Sequence, residues 1–495
     1  MRKITRRAAL LGGGAVLGYA AAELTGRKLP VYDGTRTLTI PTGDAILNDA
    51  STLSATPVHK HVTLSDDPTT SLVTAIRAEL REARDAGRPV NIGAARHSMG
   101  GQAIPENGHA LTFDNGLVEL DTTNQTYRCH AGARWSQVIA ALDPAGFSPK
   151  VMQSNHDFGV AATFSVNAHG WPVPFGPMGS TVRSLRMVLP SGDLVTASRT
   201  ENPDLFAHAM GGYGLIGAII DMEVEAVPNT RLTPTFETMP ATDFATAFQA
   251  ALDDQSVTMA YGRMNVSRAD FFSEALLITY RETADQLALP PASGSGWMSH
   301  AASRVYRTQL GNEAAKRTRW WQETTLAPKI AAGPVTRNSL INEPVVTLDD
   351  RDPDRVDILH EYFVGFDQWD AFLKACRDVI PASYQEFLNV TLRYVAPDET
   401  SILSYAPVPR IAAVMSFSQE LTKRGEADMA RMTRDLVDRI TAIDGAYYLC
   451  YRPHPTQDQL VAAYPAAPDF AQTKREIDPD GLFRNLFWDR YLRSL

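Results

Sequence analysis

The stretch NIGAARHSMGGQ, Asn91 to Gln102, constrains the fold most. It leaves the apolar run Pro89–Ile92, sets small residues Gly93, Ala94 and Ala95 ahead of Arg96, His97 and Ser98, and closes on Gly100 and Gly101. Small residues and paired glycines let backbone N–H groups turn inward and approach an anion closely. Upstream, Asp67-Pro68 opens a helix with a carboxylate at the cap and proline in the first turn. Leu72, Ile76, Leu80 and Ala83 recur at helical spacing until Gly87 ends it. The order is therefore helix–strand–loop. A nucleotide triphosphatase has strand–loop–helix with a lysine in G-x-x-x-x-G-K, and this loop has no lysine. Taken alone, it is equally a bland turn with a solvent-facing histidine.

A second stretch, Thr163 to Pro228, shifts that balance. It carries Ser165, Asn167 and His169-Gly170, then strands Leu185–Leu189 and Leu194–Thr196 about the turn Ser191-Gly192-Asp193. Gly211-Gly212-Tyr213-Gly214 and Gly217 precede a last strand, Ile219–Val224. This is not the G-x-G-x-x-G of a Rossmann site, because it opens a strand rather than a helix. By itself it also fits a hairpin turn that needs positive backbone angles. Together the two stretches resemble the flavin-binding domain of the vanillyl-alcohol oxidase superfamily, the PCMH-type flavoproteins. That superfamily includes aldonolactone oxidases, alditol oxidase, cytokinin dehydrogenase and the decaprenylphosphoryl-ribose oxidases. The resemblance is strong over residues 60–230 and weaker toward the C-terminus.

The resemblance implies FAD as cofactor. Asn91, Gly93, Ala94, Ala95 and Arg96 would wrap its pyrophosphate with Ser98, Gly101 and Gln102, and His97 would be joined covalently to the flavin ring. Ser165, Asn167, His169 and Gly170 would lie against the ring and the diphosphate. Gly212, Gly217 and Ile219 would hold the ribose and adenine. The catalytic aspartate of cytokinin dehydrogenase falls on Ser154 here, and its role is not carried to Asp157, three residues on. His360-Glu361-Tyr362-Phe363 resembles the E-Y-F/L element whose glutamate meets substrate hydroxyls, so Glu361 is the first candidate to bind or deprotonate an alcohol. A half-buried carboxylate needs a partner or a job, and a structural salt bridge to arginine is the other reading. The strand Phe387–Val395 puts Asn389, Thr391 and Arg393 on one face. Arg393 would partner Glu361 or an anionic substrate. YLCYRPH, Tyr448 to His454, adds Arg452 and His454, without the lysine of relatives; His454, like Arg393, would assist Glu361 at the substrate hydroxyl. The tail matches the closing element at Lys474, Asp478-Pro479, Phe483 and Asn485.

The fold class expected is α+β: a two-subdomain PCMH-type FAD-binding domain over 60–228 and an α+β substrate domain with an antiparallel sheet over 229–455. A closing segment, 456–495, returns to the first domain. At 495 residues the chain can bury two or three cores. A net charge of −9 argues against nucleic acid. Cys129, Cys376 and Cys450 are far apart and outside any C-x-x-C, which favours buried thiols over a disulfide framework or zinc site; no metal is expected. Residues 1–22 carry Arg6-Arg7 and a short Gly/Ala-rich run, resembling a twin-arginine export signal to the periplasm or beyond, with an uncleaved membrane anchor as the alternative. Residues 23–59 read as a linker or arm, with order beginning near Val62, and 289–296 as a loop. Arg304–Ala327 reads as a helix with Lys316, Arg317, Arg319 and Trp320-Trp321. It is either a solvated face over core tryptophans or a contact for a membrane or acidic sugar.

The activity implied is oxidation of a CH–OH group in a sugar, alditol or aldonolactone-like substrate, with oxygen as acceptor. Two alternatives stand beside it: a dehydrogenase for an amine or lipid-linked sugar that passes electrons to a quinone or carrier protein, and a non-catalytic carbohydrate-binding protein.

Overall fold

The computed structural model describes residues 38–294, 306–331, 333–345 and 354–495. The expected export signal, the start of the arm, the end of the 289–296 loop and the start of the 304–327 helix lie outside those residues. No described helix is long and apolar enough to cross a membrane.

Among the described residues, 19 short and long strands are interleaved with helices, an α+β architecture. Strands β1 (Ile46–Leu47) and β2 (Thr56–Pro57) make a small antiparallel ribbon. Strands β3 (Lys60–Leu64), β4 (Val90–Gly93) and β5 (His109–Phe113) form a parallel sheet in the order β3-β5-β4. The helix Thr70–Asp85 supplies the crossover, burying Leu72, Val73, Ile76, Leu80 and Ala83. Parallel neighbours need a crossover of this kind.

A second sheet follows from β6 (Val118–Asp121), β7 (Thr126–His130), β8 (Phe147–Pro149), β9 (Val182–Val188), β10 (Leu194–Ser198) and β11 (Ala218–Pro228). Its order is β10-β9-β11-β7-β6, with β8 also on β11. The helices Trp135–Leu142 and Val160–Ser165 lie between its strands in sequence. The second helix brings the chain to Ser165 in helical rather than extended form. Ser165 ends the helix, and Asn167 takes a left-handed φ of 49° just beyond it.

The second lobe is one eight-stranded antiparallel sheet. Its members are β12 (Arg231–Pro240), β13 (Val257–Met264), β14 (Glu274–Glu282), β15 (Val335–Thr336), β16 (Arg355–Val364), β17 (Glu386–Val395), β18 (Arg410–Glu420) and β19 (Ala446–Tyr447). They run in the order β15-β12-β14-β13-β17-β18-β16-β19. The helices Trp369–Val379 and Lys423–Thr441 pack on it through apolar stripes. The basic tryptophan helix is broken. An α-helix covers Glu313–Trp321, a π-turn Gln322–Leu326, and a further turn Ala327–Ile330. Trp320 is buried and donates to Glu274, Lys316 pairs with buried Glu386, and Trp321 stays exposed. The three cysteines are free and buried.

Order begins earlier than Val62. Asp49 Oδ2 accepts from the Gly101 N–H at 2.8 Å, and the Ala50 N–H donates to the Arg96 carbonyl at 3.1 Å. This part of the expected arm is a brace for the small-residue loop.

Candidate functional site

The loop that leaves β4 is held from three sides. The Met99 N–H donates to the Cys450 carbonyl at 2.8 Å, and Gln102 Nε2 to the Leu449 carbonyl at 2.7 Å. Asn485 Nδ2 donates to the carbonyls of both Gln102 (2.7 Å) and Tyr213 (2.9 Å). The glycine turn near residue 212 and the loop near residue 97 are thus joined through one tail residue. Arg96 sits at a positive φ of 53°, with a guanidinium that donates to Thr112 Oγ1 at 3.1 Å. Burial lowers its pKa to about 10.

Between these parts lies a cavity of about 230 Å³. That is far above the ~10–15 Å³ a single water occupies, so it is a ligand-sized space. Gly93, Ala94, Ala95, Arg96, His97, Ser98 and Gln102 line one wall, with Ser165, His169, Gly217 and Ile219 along another. Glu361 and Arg393 reach in from the large sheet. The His97 ring packs on Phe158, centroids 4.4 Å apart.

Other expected contacts stand behind the walls. Asn91 is fully buried and, with Gly101, Asn167, Gly170, Gly212 and Asn485, does not line the cavity. The Asn167 amide is committed to Asp398 (2.8 Å) and the Gly179 N–H (3.0 Å). A Cβ on Gly170 would lie 1.9 Å from the Met152 carbonyl oxygen, and one on Gly212 1.9 Å from that of His208. These glycines are needed for protein backbone packing, not for approach to a ligand. His454 is also outside the cavity. Its ring faces Glu426 at 2.9 Å and Thr433 at 3.1 Å, so it does not meet a hydroxyl bound beside Glu361. Burial lowers its pKa and the Glu426 carboxylate opposes that.

Glu361 Oε1 and His169 Nε2 form a buried hydrogen-bonded pair. The expected arginine partner is therefore replaced by a histidine from the first lobe. Arg393 instead donates to the His169 carbonyl (3.2 Å) and to Ser154 Oγ (3.0 Å). Tyr451 Oη donates to Glu361 Oε2 at 3.2 Å, and burial, with the Glu361 charge, holds that phenol well above its usual pKa. Asp157 Oδ2 accepts from the Val345 N–H and does not line the cavity.

Among the lining residues not anticipated as contacts are Phe158, Tyr448, Cys450 and Tyr451. Only Ala446–Tyr447 is strand, and the chain turns after it. The residues that face the cavity are therefore Tyr448, Cys450 and Tyr451, while Arg452 turns to Glu426 at 2.6 Å. The aromatic spacing in YLCYRPH was the available signal. Five buried polar atoms around the site have no hydrogen-bond partner among the described residues: Asn91 Oδ1 and Nδ2, Arg96 Nε, His169 Nδ1 and Arg393 Nε. Such groups are rare without a ligand or solvent to satisfy them.

A family model described as an FAD binding domain matches residues 71–198. L-galactono-1,4-lactone dehydrogenase 1 of Oryza sativa subsp. japonica is 29% identical over 223 residues, covering 44% of this chain and 37% of that protein. The chain thus spans little more than a third of that relative's length. Decaprenylphosphoryl-beta-D-ribose oxidase of Mycolicibacterium smegmatis is 24% identical over 448 residues, covering 82% of this chain and 90% of that protein. D-arabinono-1,4-lactone oxidase of Yarrowia lipolytica is 27% identical over 182 residues, a third of each chain (33% and 33%).

Proposed function

We propose that this chain, an FAD-binding protein of the vanillyl-alcohol oxidase type related to aldonolactone oxidases and dehydrogenases, is an oxidoreductase that oxidises a CH–OH group of a polyol, sugar or aldonolactone-like substrate. The observation that carries this reading is Glu361. Its carboxylate shares one cavity with the small-residue loop and is held there by His169 and Tyr451.

The residues present fit FAD. The loop 93–98 and the segment 213–219 line one continuous cavity, and Arg96 on its wall keeps an unpartnered polar atom. When bound, FAD supplies the acceptor for the hydride that leaves carbon. Glu361 takes the hydroxyl proton, and His169 and Tyr451 fix the carboxylate in one orientation for that transfer. Arg393 ties the His169 backbone to Ser154, so the base is positioned from both lobes. Apolar walls from Phe158, Val414 and Leu359 keep bulk water from the reacting atoms. A positioned base of this kind contributes about 10²–10⁴ in rate. Glu361→Gln therefore slows anaerobic flavin reduction by substrate by that factor with little change in binding. Reduction at the wild-type rate removes Glu361 from the chemistry. The substrate is found by screening sugars, alditols and lactones for bleaching of the flavin absorbance.

His97 is the residue we assign to a covalent flavin link, on the resemblance of its loop and its place on the cavity wall. Acid-denatured protein then keeps its yellow colour in the pellet, and His97→Ala releases it. Flavin wholly in the supernatant from wild-type protein overturns the link.

Similarity over 82% of the chain to an oxidase named for a lipid-linked sugar supports a second reading, a lipid-linked sugar donor with a quinone or protein acceptor. Reoxidation tells the two acceptor classes apart: rapid in air for an oxidase, slow in air but rapid with a quinone for a dehydrogenase.

A further inference from the structure

At the opposite end of the parallel sheet from the flavin loop, three side chains from separate elements converge. His59 immediately precedes β3, His109 opens β5, and Glu82 lies in the last turns of the helix Thr70–Asp85. One donor atom from each lies within 4.8 Å of the other two. The register explains the meeting: Lys60 pairs with His109 across the parallel ladder, and the His59 N–H donates to the Gly108 carbonyl at 2.8 Å. The two imidazoles therefore sit side by side, centroids 5.4 Å apart.

The state of His109 is set by its neighbours. Its side chain is 0% exposed, and Nδ1 faces Glu79 Oε2 at 2.9 Å. A carboxylate only accepts, so Nδ1 carries the hydrogen and Nε2 is left with a lone pair. That Nε2 is buried, has no hydrogen-bond partner and stands 4.0 Å from Glu82 Oε1. An imidazole oriented by a carboxylate on one nitrogen, with a bare lone pair on the other, is the arrangement of a metal-bound histidine and its outer partner. Lys60 Nζ bridges Glu79 (2.8 Å) and Glu82 (2.7 Å), yet this is one ammonium between two carboxylates. Lys60 occupies Glu82 Oε2 and leaves Oε1 toward His109.

We propose that His59, Glu82 and His109 form a site for a borderline divalent cation, Zn²⁺ or an ion of like preference, with Glu79 as the orienting carboxylate. Two imidazoles and one carboxylate are a ligand set that Zn²⁺ takes, with solvent at the fourth position. Bonds of about 2.0–2.2 Å require the donors to close somewhat, and His59 and Glu82, both exposed, have the rotamer freedom to do so. The ion joins the edge of β3, the start of β5 and the covering helix. It therefore acts on the stability of the first lobe and not on the chemistry at Glu361.

The test uses the full-length holoprotein, freed of metal with a chelator and titrated with zinc chloride by calorimetry and with cobalt(II) chloride by visible absorption. One Zn²⁺ per chain is lost on His59→Ala and on Glu82→Gln, and the intense visible bands of four-coordinate cobalt(II) disappear with it. Glu79→Ala leaves the ligands in place and weakens binding about 10–100-fold. Zinc raises the wild-type melting temperature but not that of His59→Ala. Because His59 and Glu82 are exposed, unchanged flavin content shows that these variants fold. Failure of the wild type to bind zinc at micromolar concentration, or equal binding by wild type, His59→Ala and Glu82→Gln, overturns the proposal. Neither result touches the reading of Glu361.

Discussion

His360 and Glu361 are neighbours on β16 that face opposite ways, and opposite electrostatic rules govern them. Glu361 meets the ring of His169 across the lobes. His360 is buried between the hydroxyls of Tyr362 (3.2 Å) and Thr433 (3.4 Å), with no carboxylate to balance a charge. Burial, reinforced by His454, lowers its pKa from 6.5 to about 3. The unfolded chain protonates this residue below pH 6.5 and the folded chain does not, so its contribution is full above pH 6.5 and is lost as pH falls toward 3. Between pH 7 and pH 5 the loss is about 2 kcal/mol. His360→Gln keeps a hydrogen-bonding group without the titration, and urea unfolding at the two pH values shows that part of the difference removed. At this scale the sequence was legible where a motif named the residue. Glu361 could be chosen from H-E-Y-F, and His97 from the loop. Its histidine partner could not, because His169 lies nearly two hundred positions away (|i−j| = 192) and only the packing of the two lobes brings it there.

Helices and strands with a clear apolar period were readable from their residues. The helix carrying Leu72, Ile76, Leu80 and Ala83 spans Thr70–Asp85 with that stripe buried, and stops short of Gly87. Val160–Ser165 was not readable, because six residues show no period and the helix owes its place to tertiary bonds. Trp135 Nε1 donates to Thr163 Oγ1 at 2.9 Å, and the Val160 N–H to the Ala133 carbonyl at 2.9 Å. The segment after this helix carries His169 and must pass close to Met152. Gly170→Ala drives a methyl into that carbonyl, which has nowhere to go, at a cost at or above the ~1–3 kcal/mol usual for overpacking. The expected outcome is a lower melting temperature together with reduced flavin content, read by absorbance per mole of purified chain.

The order of the eight strands in the second lobe could not be read, because strand pairing is set by long-range packing that alternation leaves open. The return of the tail could be anticipated from resemblance, but not how much it holds. Leu482–Arg484 runs along the free edge of β4: the Val90 N–H donates to the Leu482 carbonyl at 2.7 Å, and the Arg484 N–H to the Val90 carbonyl at 3.1 Å. Beside it, Asn485 is fully buried and joins the carbonyls of Gln102 and Tyr213. Asn485→Ala orphans both, at about 1–3 kcal/mol each. That variant should unfold at lower denaturant and release or lose flavin more readily than wild type in a spin-filter assay.

The placement of that tail has a consequence for biosynthesis. An emerging polypeptide has the small-residue loop outside the ribosome hundreds of residues before Asn485 exists to fasten it. The prosthetic group therefore gains its finished pocket only once residues 482–485 have been made and folded back, and a chain clipped short of residue 482 should accumulate colourless however much cofactor the cell provides.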